Sequence, residues 1–255
     1  MYLERKHHPV PGESFWDAAV RELRLNIVFN GEAMSEIPAQ GPVVVVANHP
    51  FGVIDGLVLC WLLAKVRADF KVLAHLLLTR AEEPRPFLLP IDFEETKAAL
   101  RTNIRTRAEA VALLKRGGAL IVFPSGMVST TPRLMARHAE DADWKNFTAR
   151  MIVQGNAPVV PVFFHGQNSF LFQIISHFSM TLRLSLLLKE AHGRIGGDIR
   201  FRIGRRLAYE ELMAIHDRKE LMRFLRARTY ALAGQGSDSL GSGSRPPQAV
   251  ESESA

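Results

Sequence analysis

Hydrophobic residues occur along the chain in short runs separated by polar loops, and their spacing predicts alternating strands and helices. The run VVVVA at 43–47 has no polar alternation, which is typical of a strand buried on both faces in a parallel sheet. Further strands are predicted at DFKVLAH, FLLPID, ALIVF, PVVPVFF and DIRFRIG. Apolar residues at helical spacing predict helices over 14–28, 104–116, 142–154 and 208–230, and another directly after Gly56. This alternation predicts an α/β fold with a largely parallel sheet flanked by helices.

Three polar loops follow predicted buried strands. NHPFGVID follows VVVVA, PSGMVST follows ALIVF, and HGQNS follows VVPVFF. In open α/β sheets, ligands bind beyond the carboxyl ends of the strands. We therefore expect the three loops to meet at one edge of the sheet and to form a site there.

The first of these loops contains a histidine and an aspartate that could act together. Asp55 is close enough in sequence to orient the ring of His49 across a turn, and Gly52 supplies the backbone freedom for that turn. The chain has no G-x-S-x-G nucleophile elbow, so the nucleophile of such a pair would be a hydroxyl of the substrate. The alternative is structural: His49 would cap the next helix or bond to the backbone at the strand end.

Composition bounds the domain organisation. The 255 residues are 47% hydrophobic, enough for one sizeable domain. We expect an N-terminal amphipathic helical segment over 1–30, a folded domain over 31–233 and a disordered Gly-, Ser- and Pro-rich tail over 234–255.

The folded part is basic. The chain has a formal net charge of +6, and the tail carries one arginine against three acidic residues, a net of −2, which leaves +8 for the rest. Such charge attracts nucleic acid, acidic proteins or anionic lipid. We disfavour nucleic acid because no aromatic stacking platform is interleaved with the basic residues.

Other patterns bear on membrane contact, compartment and metals. No run of about twenty apolar residues would cross a bilayer; the stretch 169–188 would either lie at a membrane surface or form a core helix. Cys60 is the only cysteine and the N-terminus has no apolar secretory region, so we expect a location on the cytoplasmic side. Without H-E-x-x-H or paired cysteines, we expect no metal.

Four ordered blocks together resemble a known family. ANHPFGVIDG, LPID, GGALIVFPSGMVS and APVVPVFFHGQNS look like the motifs of the lysophospholipid and glycerolphosphate acyltransferase superfamily, from about Gly31 to Leu207. The form H-P-x-G-x-x-D-G has five residues between His49 and Asp55 instead of four. It resembles a bacterial branch labelled hemolysin-like, which includes acyltransferases of ornithine-lipid synthesis.

The resemblance implies a glycerolphosphate-acyltransferase-like fold, an acyltransferase domain over 31–233, and a reaction. His49 would be the base and Asp55 its orienting partner. The hydroxyl of a lysolipid, lysophosphatidic acid or lyso-ornithine lipid, would attack the thioester of acyl-ACP or acyl-CoA, with no cofactor. The enzyme would be peripheral, on an anionic membrane at the cytoplasmic face of the inner membrane. The alternative is a non-catalytic lipid-binding or membrane-perturbing protein.

The block that recognises phosphate in the family departs from its usual form. Phe-Pro-Glu-Gly-Thr-Arg-Ser is replaced by FPSGMVS at 123–129, so the expected Glu and Arg are absent. Backbone N–H groups around Gly126, hydroxyls, or Arg133 would substitute, or else the acceptor carries an amino-acid headgroup. Asn168 either lines the site or caps the following helix. The substrate-binding residues that we predict are Asn48, Gly52, Phe123, Pro124, Ser125, Gly126, Ser129, Arg133 and Pro161.

Overall fold

The computed structural model describes residues 12–131, 139–169, 189–234 and 241–242. Within these ranges the helices include α1 Phe15–Glu22, α2 Val53–Ala64, α3 Lys97–Lys115, α4 Asn146–Gly155, α5 Tyr209–Met213 and α6 Arg218–Tyr230. The strands are β1 Asn26–Phe29, β2 Val43–Ala47, β3 Phe70–His75, β4 Leu88–Ile91, β5 Ala119–Val122, β6 Val159–His165, β7 Asp198–Ile203 and β8 Gly241–Ser242. Short 3-10 helices occupy Gly31–Glu36, Leu76–Arg80, Arg85–Phe87 and Ala231–Gly234.

The strands form one sheet in the order β4-β3-β5-β2-β6-β7-β1-β8. The pairs β3/β4, β3/β5, β2/β5, β2/β6 and β1/β7 are parallel, and β6/β7 and β1/β8 are antiparallel. The largely parallel sheet expected from the sequence is confirmed. β2 lies between β5 and β6, so the loops after these three strands leave the sheet at the same edge.

The unbroken apolar run in β2 follows from helices on both faces of the sheet. Val43, Val45 and Ala47 pack in one core with α1 and α2. Val44 and Val46 pack in a second core with α3, α4 and α6. All five side chains are therefore buried, and no position of the strand is left for a polar residue.

The helix predicted over 14–28 is wrong beyond its first two turns. Arg24 adopts a positive φ of 50°, and the N–H of Leu25 donates to the carbonyl of Val20, which ends α1. Asn26–Phe29 then forms β1 and pairs with β7. The described part of the expected helical segment 1–30 is thus helical only over α1, and its last residues belong to the sheet.

Other boundaries differ from the sequence predictions because of local capping. α3 begins well before residue 104, since the Thr96 side chain accepts from the N–H of Ala99. The helix predicted over 208–230 is divided into α5 and α6, because the side chain of Asp217 caps α6 by accepting from the N–H of Glu220.

Two expectations concern regions that are partly or wholly outside the described residues. In the predicted disordered tail, Gly241–Ser242 pairs with β1. The other residues after Gly234 lie outside the described residues, so the disorder of the tail stays a prediction. The stretch 170–188 lies outside the described residues. In the part of the chain that the structure describes, no helix combines the length and the apolar character needed to cross a bilayer.

Candidate active site

His49 and Asp55 are in direct contact at the carboxyl end of β2. His49 Nδ1 lies 3.0 Å from Asp55 Oδ2. The His49 side chain is 18% exposed and that of Asp55 is fully buried. In the tautomer with the proton on Nδ1, the N–H group donates a hydrogen bond to the carboxylate. Nε2 is then the ring nitrogen that can accept a proton from a substrate.

Asp55 concentrates its hydrogen bonds on one oxygen. Besides His49, Oδ2 accepts from the N–H of Phe51 at 2.8 Å and from the N–H of Gly52 at 3.0 Å. The other oxygen, Oδ1, has no partner among the described residues. Burial raises the pKa of Asp55, against the opposing effect of its bond to His49.

The turn between β2 and α2 depends on a glycine. Gly52 has φ 72° and ψ −121°, a conformation that L side chains rarely adopt. This turn brings the N–H groups of Phe51 and Gly52 onto Asp55, which is the third residue of α2. α2 therefore starts at Val53, before the Gly56 boundary expected from the sequence.

The His49 ring is packed against Phe123, the residue that follows β5. The two rings stack with centroids 3.9 Å apart and an interplanar angle of 23°. The predicted site residue Phe123 is therefore in contact with the candidate base, and its ring limits the orientations that the imidazole can take.

A buried carboxylate later in the connection from β5 to α4 fixes the backbone around His49. Asp141 Oδ1 accepts from the backbone N–H of His49 at 3.2 Å and from the hydroxyl of Ser129 at 2.6 Å. The N–H of Ser129 in turn donates to the carbonyl of His49 at 2.8 Å. Trp144 Nε1 donates to Asp141 Oδ2 at 2.9 Å, and the N–H of Asp141 donates to the hydroxyl of Tyr230 in α6 at 2.8 Å. Burial raises the pKa of Asp141.

The polar groups of the PSGMVS loop are engaged inside the protein. Ser125 Oγ donates to the carbonyl of Met127 at 2.7 Å, and the N–H of Gly126 donates to the carbonyl of Phe123 at 3.0 Å. The carbonyl of Pro124 accepts from the N–H of Lys145 at 3.0 Å. The structure thus gives internal partners to groups that we expected to replace the missing phosphate ligand, and Arg133 lies outside the described residues.

Two other predicted site residues lie within or against the sheet. Asn48 is buried, and both its amide atoms bond to Phe164 in β6: Nδ2 donates to the carbonyl at 2.9 Å and Oδ1 accepts from the N–H at 2.7 Å. Asn48 therefore joins the end of β2 to β6. Pro161 is buried inside β6 and pairs with Val46, which lies three residues before His49.

The described residues contain no group of three His, Cys, Asp or Glu side chains close enough together to hold a metal ion. The arrangement at the sheet edge is one of a partly exposed imidazole, a buried carboxylate and an adjoining aromatic ring. Such a pair can take a proton from a hydroxyl and stabilise the imidazolium that results.

Comparison with known proteins assigns the chain to a family. A family model described as Acyltransferase matches residues 1–240. The chain belongs to this acyltransferase family. The superfamily suggested by the sequence motifs is therefore confirmed.

The relatives agree with this membership. The chain is 26% identical over 176 residues to a lyso-glycine lipid O-acyltransferase of Phocaeicola vulgatus, and 27% identical over 172 residues to one of Bacteroides thetaiotaomicron. Each match covers 67% of this chain, and the chain spans 58% and 60% of the two relatives' lengths.

Among solved structures, the 1-acyl-sn-glycerophosphate acyltransferase PlsC of Thermotoga maritima matches with a TM-score of 0.55 and 19% identity, over 86% of this chain and 76% of that one. At this identity, the likeness shows the fold alone.

Sequence reasoning missed two charged residues beside the candidate site of this family member. Asp141 lies in a loop whose sequence contains no recognised motif. It is separated from His49 by 92 residues in sequence, so their contact is not evident from the sequence. Lys145 is exposed, and its Nζ lies 5.8 Å from the centroid of the Phe93 ring and 3.5 Å from the position of a Cβ built on Gly126. The adjoining tryptophan, Trp144, was the available signal, since an indole in a polar segment needs a hydrogen-bond acceptor.

Proposed function

We propose that this chain is a lysolipid O-acyltransferase that moves a fatty acyl chain from a thioester to a lipid hydroxyl. The observation that carries the proposal is the contact between a partly exposed His49 and a buried Asp55 at the carboxyl edge of the sheet, in a member of the acyltransferase family. The donor is acyl-ACP or acyl-CoA, and no further cofactor takes part.

The pair supplies the proton transfers of this reaction. His49 Nε2 accepts the proton of the acceptor hydroxyl while the oxygen attacks the thioester carbonyl carbon, and Asp55 stabilises the imidazolium. When the tetrahedral intermediate collapses, the C–S bond breaks and the thiolate takes the proton from His49. The new ester and the free thiol leave, and His49 is neutral again.

We infer that the acceptor is an N-acylated amino acid rather than a glycerophosphate. Two relatives are named for a lyso-glycine lipid. Glycine has no hydroxyl, so an O-acylated glycine lipid needs its hydroxyl on the fatty chain, while its carboxylate stays free. The loop at 123–129 lacks an arginine fork for phosphate, and the single ammonium of Lys145 beside it suits a carboxylate. Lyso-glycine and lyso-ornithine lipids share this chemistry.

The enzyme works as a peripheral protein on the cytoplasmic face of an anionic inner membrane, where its acceptor resides. The basic charge of the folded part supports this location.

The test compares wild type with His49→Ala and with His192→Ala, an exposed histidine that is not among the hydrogen-bond partners of His49 or Asp55. Labelled acyl-ACP and acyl-CoA are offered with lyso-glycine lipid, lyso-ornithine lipid and lysophosphatidic acid. We expect transfer to the amino-acid lipids, a loss of about 10²- to 10⁴-fold in His49→Ala, and unchanged transfer in His192→Ala.

A different result separates the rivals. Preference for lysophosphatidic acid would overturn the acceptor assignment but leave the enzyme. Lipid binding without transfer, equal in all three proteins, would favour the non-catalytic lipid-binding protein. The observation that favours this second candidate is the exposed apolar group after β3, formed by Leu76, Leu77 and Leu78.

A further inference from the structure

Asn168 is a buried amide with unfilled hydrogen-bonding capacity. It follows β6 at the edge of the sheet that carries His49, and it is only 2% exposed. Neither Nδ2 nor Oδ1 has a hydrogen-bond partner among the described residues. Buried carboxamides are normally bonded because an unpaired donor or acceptor loses its hydration without compensation.

The loop that carries Asn168 packs against the loop that carries His49. Gly166, at φ 115°, lies so close to Phe51 that a Cβ built on it would come within 2.7 Å of the ring carbon Cζ. The guanidinium of Arg194 covers the same ring at 4.1 Å and donates to the carbonyl of Gln167 at 2.7 Å. Phe51 itself donates its N–H to Asp55. The loop that carries Asn168 is therefore held against the loop that carries the His49–Asp55 pair.

Two other asparagines show what satisfies a carboxamide in this fold. Asn48 bonds the N–H and the C=O of one residue, Phe164, at 2.7 and 2.9 Å. Asn30 does the same to Ile203, at 2.8 Å for both bonds. In each case, Oδ1 accepts from the N–H and Nδ2 donates to the carbonyl oxygen of a single amino-acid unit. Asn168 has the same two groups with this partner missing.

An N-acylated amino acid presents the missing partner. Its amide N–H and its carboxylate oxygen belong to one amino-acid unit, as do the N–H and C=O of Phe164. We propose that Asn168 binds the headgroup of an N-acylated amino-acid acceptor, with Oδ1 accepting from the amide N–H and Nδ2 donating to the carboxylate. This inference rests on the proposed acyltransferase function and identifies Asn168 as the residue that recognises the acceptor headgroup.

The test uses two hydroxylated acceptors that differ in one atom: a 3-hydroxyacyl glycine, and the ester of the same acid with glycolic acid, which keeps the carboxylate but has no N–H. We expect Asn168→Ala to raise KM for the glycine acceptor about tenfold, as is typical for one to two lost hydrogen bonds. KM for the ester should rise less, and kcat should change little. Asn168→Asp should be worse than Asn168→Ala with both acceptors, because it sets a negative charge against the carboxylate.

Thermal unfolding distinguishes ligand recognition from a structural role. Asn48→Ala removes two backbone bonds and should lower Tm, whereas Asn168→Ala removes no internal bond and should leave Tm unchanged or raise it. A fall in Tm for Asn168→Ala like that of Asn48→Ala would overturn the proposal. So would equal losses with the two acceptors, or a rise in KM for the thioester donor alone, which would assign Asn168 to the amides of the pantetheine arm.

The proposal remains testable if the proposed function fails. Should wild type transfer no acyl group, calorimetric titration with an N-acylglycine that lacks the hydroxyl measures headgroup binding without turnover. Weaker binding to Asn168→Ala than to wild type would support the assignment, and equal binding, or none to either, would overturn it.

Discussion

A single carboxylate oxygen decides the geometry of the candidate base. Asp55 Oδ2 receives His49 Nδ1 and the N–H groups of Phe51 and Gly52, while Oδ1 is buried without a partner among the described residues. The three donors favour the ionised carboxylate, whereas burial disfavours it and raises the pKa of Asp55. The charge that stabilises an imidazolium is therefore held at a cost to folding.

This balance predicts a pH-dependent difference between wild type and Asp55→Asn. Because the folded-state pKa of Asp55 is raised above its ordinary 3.8, the unfolded chain ionises first, and the stability of wild type relative to Asp55→Asn should fall as the pH rises from about 4 to the folded-state pKa. Urea unfolding of both proteins between pH 4 and 8 measures this difference in stability. Activity of Asp55→Asn should fall by about 10³- to 10⁴-fold, as when an orienting aspartate becomes an asparagine in a serine protease.

The opposite pH dependence of stability would contradict this prediction. If wild type gained stability over Asp55→Asn with rising pH, the folded protein would favour the ionised carboxylate, and the pKa of Asp55 would be lowered by His49 instead. The prediction concerns how the stability difference between the two proteins changes with pH. A constant effect of placing an amide at position 55 therefore does not affect the sign of that change.

At the scale of residues, the sequence predicted contacts that are local and missed those that are distant. His49 and Asp55 are six residues apart across one turn, so their types and spacing were sufficient. Asp141 meets His49 only because the loop after β5 returns to the sheet edge, and no local pattern encodes that path. Asn48 was predicted to bind substrate, and its bonds to Phe164 were not predicted because they depend on the neighbouring strand.

At the scale of elements, the junction from β2 to α2 positions the candidate catalytic pair, His49 and Asp55. Gly52 needs φ 72° with ψ −121°, and Gly56, four residues later, lies within α2. A Cβ on Gly56 would meet Phe123 Cε2 at an ordinary 3.9 Å. The same change to alanine should therefore have opposite effects at two neighbouring positions.

We expect Gly52→Ala to lower the free energy of unfolding by about 1–3 kcal/mol, since alanine is strained at this φ. It should also lower kcat, because the strain displaces the N–H groups bonded to Asp55. Gly56→Ala should raise stability by about 0.5–1 kcal/mol, as expected for a glycine inside a helix, with kcat retained. Urea unfolding and acyl-transfer rates measure both; equal effects of the two substitutions would refute the role given to the Gly52 conformation.

The N-terminal elements show where a pattern is ambiguous. Leu23 and Ile27 fit a helical spacing, yet Ile27 and Phe29 are also the buried positions of β1. The helix ends because Arg24 takes a left-handed conformation, and the strand forms because β7, 172 residues along the chain, supplies its hydrogen bonds. Periodicity over one short segment does not separate these outcomes.

At the scale of the whole molecule, the sheet topology explains why the fold was predictable. Strands buried on both faces appear in the sequence as continuous apolar runs, so β2, β5 and β6 were predicted from the sequence. Because β2 pairs in parallel with both β5 and β6, the loops after these three strands lie at one edge of the sheet. The antiparallel β6/β7 pair and the position of β1 beyond β7 were not predictable, because strand order depends on contacts between distant segments.

The charge of the whole molecule leads to a prediction about membranes. Outside the tail the chain carries a formal +8, spread over many lysines and arginines, and each such residue near an anionic surface contributes about 1 kcal/mol. Vesicles containing anionic lipid should therefore bind the protein more tightly than neutral vesicles. The binding should weaken by at least about tenfold between 0.1 and 1 M salt, because the screening length falls from about 10 to about 3 Å. Co-sedimentation with both vesicle types measures this. Binding that is equal on neutral and anionic vesicles and indifferent to salt would mean that apolar insertion, rather than charge, holds the protein at the bilayer.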